Sequence, residues 1–447
     1  TQRSTLFPYT TLFRSVQIKD PERGDVVMPG VPVVMTATPG AVRRPAPQLG
    51  DLTVDALGWS PRPAMTRSAS ASTTGRGPLH GFRVLNLGTV LAGPFAGLLL
   101  SDLGADVVKI EPPDGDTFRV RGFAFNRGSR SLALDLRHAR GRSVFYELAR
   151  SADVVLDNYR PGVLARLQVD HRSLARINPA IITMSLTGFG EGGPLTAKPG
   201  FDPILQAMSG MMSAQGGEGE PVFLTTAVND VAAACFGALG VCLALHHRVR
   251  TGQGQAVSGS LAAFAAFMQC GELVRFPGRS PARRGGTDFP GPSALDRYYR
   301  AVDGWVRLQA RPDQVPDLIA AGWLPGDAGA DRSEPALTEA LSRTFAGLGA
   351  SAAVAALAGL SIPAAVAIRP VDLLTNPAVQ RSETFHEYQM ADGGSCFAPG
   401  RSAHFDRTQR TGVLLAPGLG EHSRQILSEI GLAEKDMEDL IGEGVVV

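Results

Sequence analysis

Short apolar runs alternate with longer helical segments through the first half of this chain. The stretch from residue 81 to 113, GFRVLNLGTVLAGPFAGLLLSDLGADVVKIEPP, contains the runs VLNL and VVKIE on either side of a segment of helical length. Short bounded runs are typical of buried strands, and the longer segment has a glycine near its end, as helices do. This pattern predicts a strand–helix–strand unit with parallel strands.

The same alternation continues further along the chain. SLALDL precedes a helical segment and then the strand Val154 to Asp157, and AIITMSLTGFG adds a strand with a Gly-rich end. We therefore predict an α/β fold with a Rossmann-like, doubly wound parallel sheet, in which ligands bind beyond the carboxyl ends of the strands. The loops expected at that edge are 88–94, 112–121, 158–162 and 188–202.

The pattern changes in the second half of the chain. YRAVDGWVRLQA predicts a hairpin with its turn at Asp303 and Gly304. We expect a large domain at residues 79–275, to which residues 402–447 return, and a smaller mixed α/β domain with its connections at residues 276–401.

The first 78 residues lie outside the two domains predicted above. TLFPYTTLFRS, within residues 1–15, resembles the translation of a sequencing-adapter oligonucleotide, although a short aromatic segment is an alternative. APQLGDLTVDAL, at 46–57, matches APGLGEHSRQIL near the end of the chain. We interpret residues 16–57 as the tail of an upstream copy of the same domain, and 58–78, rich in Ser, Thr, Gly and Pro, as a linker. A coincidental match between two loops is the alternative.

Composition and charge narrow the functional classes. The 447 residues are 44% hydrophobic and 19% charged, as in globular enzymes, and the net charge of +1 provides no field that would recruit nucleic acid or a membrane surface. The longest apolar run, Val231 to Leu245, is too short to span a bilayer. The four cysteines show no metal-ligand spacing, so we expect no metal site. Cys235 and Cys242 are seven residues apart and share one helix face, which predicts buried thiols in a reducing, cytoplasmic compartment.

A carboxylate stands at the start of the most apolar helical segment, VNDVAAACFGALGVCLAL. Asp230 is its third residue. An acidic residue there can cap the helix by accepting hydrogen bonds from free amides, and Asn229 is an alternative cap. A carboxylate at the edge of an apolar wall can also be a nucleophile. Position alone favours the cap.

Several motifs together resemble one enzyme family. LAGPFAGLLLSDLGADVVKIEPP, NRGSRSLALDL, ADVVLDNYRPG, INPAIITMSLTGFGEGGP and RTGQGQ are similar to segments of the family III CoA-transferases (CaiB/BaiF type), which include the α-methylacyl-CoA racemases. The resemblance is dense over residues 79–262. It implies an interlocked homodimer, or a pseudo-dimer with the upstream copy. It also implies acyl-CoA and a carboxylic acid as substrates, with coenzyme A as a substrate and no permanently bound cofactor.

The resemblance also assigns roles to individual residues. Asp230 matches the family nucleophile, whose carboxylate attacks the donor thioester to give a mixed anhydride and then an enzyme–CoA thioester; we expect the helix dipole to keep it anionic. Other positions match the family's contacts with CoA, and we add two arginines because guanidinium forks suit phosphate oxygens. The positions expected near CoA are Val90, Ala92, Gly93, Pro94, Asn158, Tyr159 and Arg166, with Arg127 and Arg130 as the added arginines.

Two alternatives remain beside CoA transfer. Racemase relatives carry a Gly-His-Asp motif, and here Phe201 occupies the His position before Asp202. Phenylalanine cannot exchange a proton, so racemisation lacks one of its two bases, and we expect Asp202 to bond backbone amides or an arginine. The third hypothesis is a catalytically silent half of a fused protein that binds CoA and supports an active partner domain.

Overall fold

A seven-stranded sheet with helices on both faces organises the first of two units in this chain. The computed structural model describes residues 14–51, 58, 75–119, 123–281, 285–286, 288–326, 331–381, 385–389, 394–400, 403–408 and 415–447. Residues 1–13 and 59–74, which hold most of the expected adapter segment and linker, lie outside the described residues. Unit 1 comprises 1–209, 224–282 and 401–447, and unit 2 comprises 210–223 and 283–400.

The strands of unit 1 are β1 (Ser15–Asp20), β2 (Gly24–Pro29), β3 (Val33–Met35), β4 (Arg83–Asn86), β5 (Asp106–Glu111), β6 (Arg130–Ala133), β7 (Val154–Asp157), β8 (Ile182–Thr187) and β9 (Ala256–Ser260). The order across the sheet is β3-β9-β8-β7-β4-β5-β6, and every pair except β3–β9 is parallel. The six parallel strands follow the order of a Rossmann sheet, so the α/β prediction is confirmed.

Helices connect these strands and cover both faces. In chain order they are α1 (Ala92–Asp102), α2 (Ala139–Ser151), α3 (Val163–Arg166), α4 (His171–Ala175), α5 (Asp202–Met208), α6 (Met211–Gly216), α7 (Val228–Thr251), α8 (Leu261–Met268) and α9 (Cys270–Leu273). Helices α1, α7 and α8 bury one apolar core against the sheet. Helix α2 and the returning chain end, α15 (Ser423–Glu429) and α16 (Glu434–Gly442), bury a second core on the other face.

Small residues set the position of α7. A Cβ atom at Gly237 would lie 3.1 Å from Leu186, and one at Gly240 would lie 3.1 Å from Val257. The helix therefore lies directly on β8 and β9, where larger side chains would force it away. It ends at Gly252, which has φ of +76° and donates its N–H to the Arg248 carbonyl, a left-handed glycine cap.

Unit 2 has its own core. It contains β10 (Asp296–Arg300), β11 (Trp305–Gln309), β12 (Ala364–Val366), α10 (Val315–Ala320), α11 (Glu334–Ala346), α12 (Ala350–Gly359), α13 (Pro370–Leu373), α14 (Pro377–Arg381), β13 (Phe385–Gln389) and β14 (Ser395–Pro399). Strands β10 and β11 form the predicted hairpin, closed where the Ala301 N–H donates to the Gly304 carbonyl. The stacked rings of Tyr299 and Phe345 lie in the core.

The observed domain organisation differs from the predicted one in two places. The boundary lies after residue 282 instead of 275, and residues 210–223, with α6, belong to unit 2. The segment interpreted as an upstream tail joins the large sheet, because β3 pairs antiparallel with β9. The sequence pattern predicted neither the 210–223 insertion nor this extra strand.

Candidate active site

The strand order reverses between β4 and β7, and the loops that follow these two strands are joined. The Asn158 side chain accepts a hydrogen bond from the Thr89 N–H (2.7 Å) and donates one to the Thr89 carbonyl (2.8 Å). Crevices at such a reversal are the usual ligand sites of open α/β sheets. Asn158, expected at the CoA site, therefore joins the two loops that border this switch point.

Glycine allows the loop after β4 to approach the start of α1. A Cβ at Gly93 would lie 2.5 Å from the Gly88 Cα and 3.2 Å from the Asn158 Oδ1. Buried Asn86 accepts from the Gly88 N–H (2.8 Å) and donates to the Gly93 carbonyl (3.3 Å). Ala92, Gly93 and Pro94 are buried in this first turn of α1. Their observed role is close backbone packing, and their contact with CoA stays a prediction.

Val90 has a strained backbone. Its φ is +62°, a region that β-branched residues rarely adopt, and its N–H donates to the Asp116 carboxylate (2.7 Å). Strain of this kind persists where surrounding contacts enforce it, and it is concentrated at functional sites. Val90 is exposed at the rim of the loop. Its expected contact with CoA stays a prediction.

Buried Lys109 supports the loop that follows β4. The Lys109 Nζ, on β5, donates to the Gly88 carbonyl. Burial lowers the pKa of Lys109, and the carboxylates of Glu111 and Asp116 oppose that change. Sequence reasoning passed over this residue, although a lysine inside the apolar run VVKIE was a visible signal.

The loop after β7 carries a buried carboxyl and two cations. Asp157 accepts from the Tyr159 N–H (3.1 Å) and the Ser185 hydroxyl (3.2 Å), and burial raises its pKa to about 7. Arg160 and Arg166 are exposed, and within the described part of the chain neither guanidinium has a hydrogen bond or an ion pair. Arg166 was expected at the CoA site. Arg160 was missed, although it directly follows Tyr159.

The two added arginines occupy ion pairs. Arg127 is buried and binds Asp102 through two parallel hydrogen bonds of 2.9 and 2.8 Å. Arg130 binds Asp106 at 3.0 and 2.7 Å and Glu429 at 2.7 Å. Because their donors already neutralise protein carboxylates, both arginines hold the fold together. The structure thus argues against their expected role at a CoA phosphate.

Asp230 lies in the first turn of α7, at the carboxyl edge of the sheet. Gly237 packs on Leu186 near the end of β8, and Gly240 packs between Val257 and Met184, which comes earlier in β8. The helix therefore runs antiparallel to the strand. Asp230 precedes Gly237 by about two turns, or roughly 10 Å along the helix axis, beyond the strand end.

A different carboxylate caps this helix. The N-cap residue is Ala227, which provides no side-chain bond, and the Asp202 carboxylate accepts from the Asn229 N–H at 2.7 Å. Buried Gln206 fixes Asp202 by donating to its second oxygen (2.5 Å). Neither Asp230 nor Asn229 is the cap. The expectation that Asp202 bonds a backbone amide is confirmed.

Burial and a like charge govern the ionisation of Asp230. Its carboxyl is partly buried, and burial followed by the charge of Asp202 raises its pKa from 3.8 to about 7. This corrects the expectation that the helix dipole keeps Asp230 fully anionic at neutral pH, because desolvation of the charged form outweighs the dipole. Among the described residues no hydrogen bond or ion pair reaches its carboxylate, which leaves both oxygens free for chemistry.

The remaining expectations concern metals, thiols and membranes. In the ranges that the structure describes, no group of three or more His, Cys, Asp or Glu side chains could hold a metal ion. Cys235 is exposed and Cys242 is only partly buried, so the prediction that both thiols are buried is wrong. Helix α7 is long and apolar enough to cross a membrane by length and composition, but it packs on α1, β8 and β9, and 56% of its apolar window is buried.

Comparison with known proteins identifies the family. Residues 79–423 match the model of CoA-transferase family III. The chain is 40% identical over 228 residues to acetyl-CoA:oxalate CoA-transferase of Acetobacter aceti, a match covering 47% of this chain and 58% of that protein. It is 30% identical to succinyl-CoA:glutarate CoA-transferase of Mus musculus (83% of this chain, 90% of that protein) and to the succinyl-CoA–L-malate CoA-transferase beta subunit of Chloroflexus aurantiacus (84% and 99%).

Solved structures agree with this assignment. A CaiB/BaiF family protein from Brucella suis superposes with a TM-score of 0.71 at 27% identity, over 79% of this chain and all of that one. Residues 79–423, which match the family model, include the six parallel strands of the sheet, the loops that follow β4 and β7, and α7 with Asp230 in its first turn. The chain belongs to CoA-transferase family III and is a CoA-transferase by family.

Proposed function

We propose that this chain moves CoA from an acyl-CoA thioester to a carboxylic acid through a covalent intermediate on Asp230. The observation that carries the proposal is the state of Asp230: partly buried, unpaired among the described residues, and at the carboxyl edge of a Rossmann sheet. An ionised carboxylate needs no general base to act as a nucleophile. The N–H of Asn229, the residue before Asp230, donates to Asp202. This hydrogen bond fixes the start of the helix and with it the position of the Asp230 carboxylate.

The proposed steps balance without added reagents. An Asp230 oxygen attacks the donor's acyl carbon, the C–S bond breaks, and CoA leaves as the thiolate from a mixed anhydride. The thiolate attacks the aspartyl carbonyl, which releases the donor acid and forms an aspartyl–CoA thioester. The acceptor carboxylate attacks that thioester, the C–S bond breaks to release the CoA thiolate again, and a second anhydride forms. The thiolate then attacks the acceptor's carbonyl, which gives the product thioester and regenerates the Asp230 carboxylate.

The crevice loops provide a place for CoA. We assign the nucleotide end to the backbone at Val90 and the side chains of Asn158 and Tyr159, and its phosphates to Arg160 and Arg166, because exposed unpaired guanidinium groups bind phosphate well. The relatives' names include oxalate, glutarate and malate, so we propose a small dicarboxylic acid as acceptor. We also retain a cytoplasmic location and a homodimer, or a pseudo-dimer with an upstream copy, as parts of the proposal.

Arg160→Ala and Arg166→Ala should each raise the KM for acyl-CoA by about tenfold or more, since a charge-assisted hydrogen bond contributes about 1.5–3 kcal/mol. Their melting temperatures should stay unchanged, because neither side chain has a described partner.

Arg127→Ala is the matched control for these two variants. It should destabilise the protein by about 3–5 kcal/mol, since it removes both hydrogen bonds of a buried ion pair, and should leave the KM of the folded fraction unchanged. An unchanged KM in both Arg160→Ala and Arg166→Ala would remove them from the site.

Asn158→Ala should disconnect the two crevice loops. Loss of both hydrogen bonds to Thr89 should cost about 1–3 kcal/mol of stability and also raise the KM for acyl-CoA severalfold. Asn178→Ala is the control, because its side chain bonds the Ala149 and Ala152 carbonyls and the Ala180 N–H just before β8, at the opposite edge of the sheet. It should lose similar stability with no change in KM, and equal KM changes in both variants would contradict the assignment.

The reaction class is tested with purified protein, succinyl-CoA or acetyl-CoA, and a panel of dicarboxylic acids. We expect new acyl-CoA that depends on the acceptor acid. Incorporation of deuterium at the α-carbon of a 2-methylacyl-CoA, without transfer, would replace the proposal with racemisation. Binding of CoA without either reaction would favour the silent-half hypothesis.

A further inference from the structure

Side chains from three places in the sheet hold three consecutive backbone amides of the loop after β4. The acceptors lie on β4 itself, in the loop after β7 and in the loop after β5. The hydrogen bonds run from the Gly88 N–H to Asn86 (2.8 Å), from the Thr89 N–H to Asn158 (2.7 Å) and from the Val90 N–H to Asp116 (2.7 Å). Because side chains and not a strand ladder pair these amides, those side chains fix the path of the loop.

The third of these amides belongs to the residue with the strained backbone. Val90 has φ of +62°, in the left-handed region that is unfavourable for any residue with a Cβ and more so for a β-branched one. Glycine would adopt this conformation freely, so the local sequence does not favour it here. The conformation is therefore imposed by contacts from outside the loop, and the hydrogen bond to Asp116 acts directly on the Val90 backbone.

Asp116 is itself fixed to the end of β5. Its second carboxylate oxygen accepts from the Phe118 N–H (2.9 Å), and its own N–H donates to the Glu111 carboxylate (3.2 Å). Glu111 is buried at the end of β5 and binds Arg119. Strands β5 and β4 are neighbours in the sheet. Asp116 thus connects a buried strand end to the strained residue in the loop after the next strand.

The charge of Asp116 cannot by itself favour an anionic ligand. Coenzyme A carries several phosphates, and a carboxylate near its site repels them. The Val90 N–H is already donated to Asp116, so this carboxylate also occupies a donor that a phosphate would use. A favourable contribution of Asp116 to binding must therefore act through the conformation of the Val90 backbone.

We propose that Asp116 is a positioning residue for acyl-CoA binding, which keeps the Val90 backbone in the left-handed conformation that the substrate contacts. This inference rests on the proposed function, in which the Val90 backbone lies beside the nucleotide end of acyl-CoA. Without the Asp116 carboxylate, the loop populates conformations with negative φ at Val90. The apparent affinity then falls in proportion to the fraction of molecules that keep the binding conformation.

The affinity for CoA tests this role without requiring transfer. Asp116→Ala should raise the Kd for CoA about tenfold, because the left-handed conformation of Val90 is no longer enforced. Loss of a negative charge alone would lower the Kd instead. Isothermal titration calorimetry with CoA measures the change. Asp114→Ala is the matched control, because it removes an exposed carboxylate from the same loop and leaves the bond between Val90 and Asp116 in place; its Kd should equal or fall slightly below that of the parent.

A second substitution separates positioning from general stability. Val90→Gly allows residue 90 to adopt positive φ without strain. In that background, Asp116→Ala should raise the Kd by less than about threefold, so the two substitutions should be strongly non-additive. Asp116→Asn, in which one acceptor oxygen remains for two N–H donors, replaces the alanine variant if that variant unfolds. It should show a smaller loss in the same direction.

Steady-state rates provide a further distinction. With Asp116→Ala, the KM for acyl-CoA should rise with the Kd while kcat stays within about twofold of the parent, since saturating substrate selects the binding conformation. A purely structural role would reduce the active fraction, which lowers kcat and leaves KM unchanged.

Failure of this inference and failure of the proposed function give different results. A folded Asp116→Ala protein with the Kd and KM of the parent would overturn the positioning role, and so would a loss of affinity that Val90→Gly does not reduce. A parent protein that binds CoA but transfers none would overturn the proposed function, and the Kd comparison would still decide the role of Asp116. A parent protein that binds no CoA would overturn both.

Discussion

Replacing Asp230 with alanine should lower the rate of CoA transfer by about 10⁴-fold or more, the size of effect seen when a covalent nucleophile is removed. The variant should remain folded, because no described partner depends on the Asp230 carboxylate. Its melting temperature should equal or exceed that of the parent above pH 7, since burial of the charged carboxylate is unfavourable there. Initial rates of acceptor-dependent thioester formation measure the loss.

Asp317→Ala is a matched control for that variant. Asp317 is also the third residue of a helix, α10, but it lies on the surface of unit 2. This substitution should leave the rate unchanged. If Asp230→Ala kept transfer within a few-fold of the parent, the nucleophile would have to lie elsewhere.

The transfer rate should rise with pH through about 7. Only ionised Asp230 is nucleophilic, and its pKa is raised from 3.8 to about 7, so the rate should level off above pH 7 and approach a fall of about tenfold for each pH unit well below it. At pH 5 the rate should be about a hundredfold below its plateau at high pH. The profile of kcat/KM reports the free enzyme and is the measurement to use.

Asp202→Asn should move this profile to lower pH. Removing the neighbouring negative charge lowers the pKa of Asp230, while the amide oxygen can still accept from the Asn229 N–H. A purely structural role for Asp202 would instead reduce the rate equally at every pH. An unmoved midpoint in a folded Asp202→Asn protein would therefore contradict the electrostatic role assigned to it.

Local patterns in the sequence were sufficient to predict the parallel sheet of unit 1. Bounded apolar runs identified the parallel strands, and the Gly-rich ends of strands identified the crevice loops, because strand burial and tight turns restrict residue type locally. The family motifs drew attention to Asp230 and Asn158, whose roles in the reaction stay predictions. Asp202 was expected to bond a backbone amide, as it does.

The sequence predictions failed where a residue's role depends on contacts with residues far away in the sequence. Arg127 and Arg130 resemble free phosphate ligands until Asp102, Asp106 and Glu429 are brought beside them. The pKa of Asp230 depends on burial and on the folded position of Asp202, neither of which a helix-start pattern contains. The pairing of β3 with β9 joins residues more than 200 positions apart, and no local pattern specifies it.

The most direct measurement is a mass spectrum of the protein incubated with acyl-CoA and no acceptor, then digested. We expect CoA attached to the peptide that contains Asp230, released by an acceptor acid and absent from Asp230→Ala. Treatment with borohydride should convert the same residue to its alcohol. An unmodified Asp230 peptide in a protein that transfers CoA, or an adduct on another residue, would contradict the central role of Asp230.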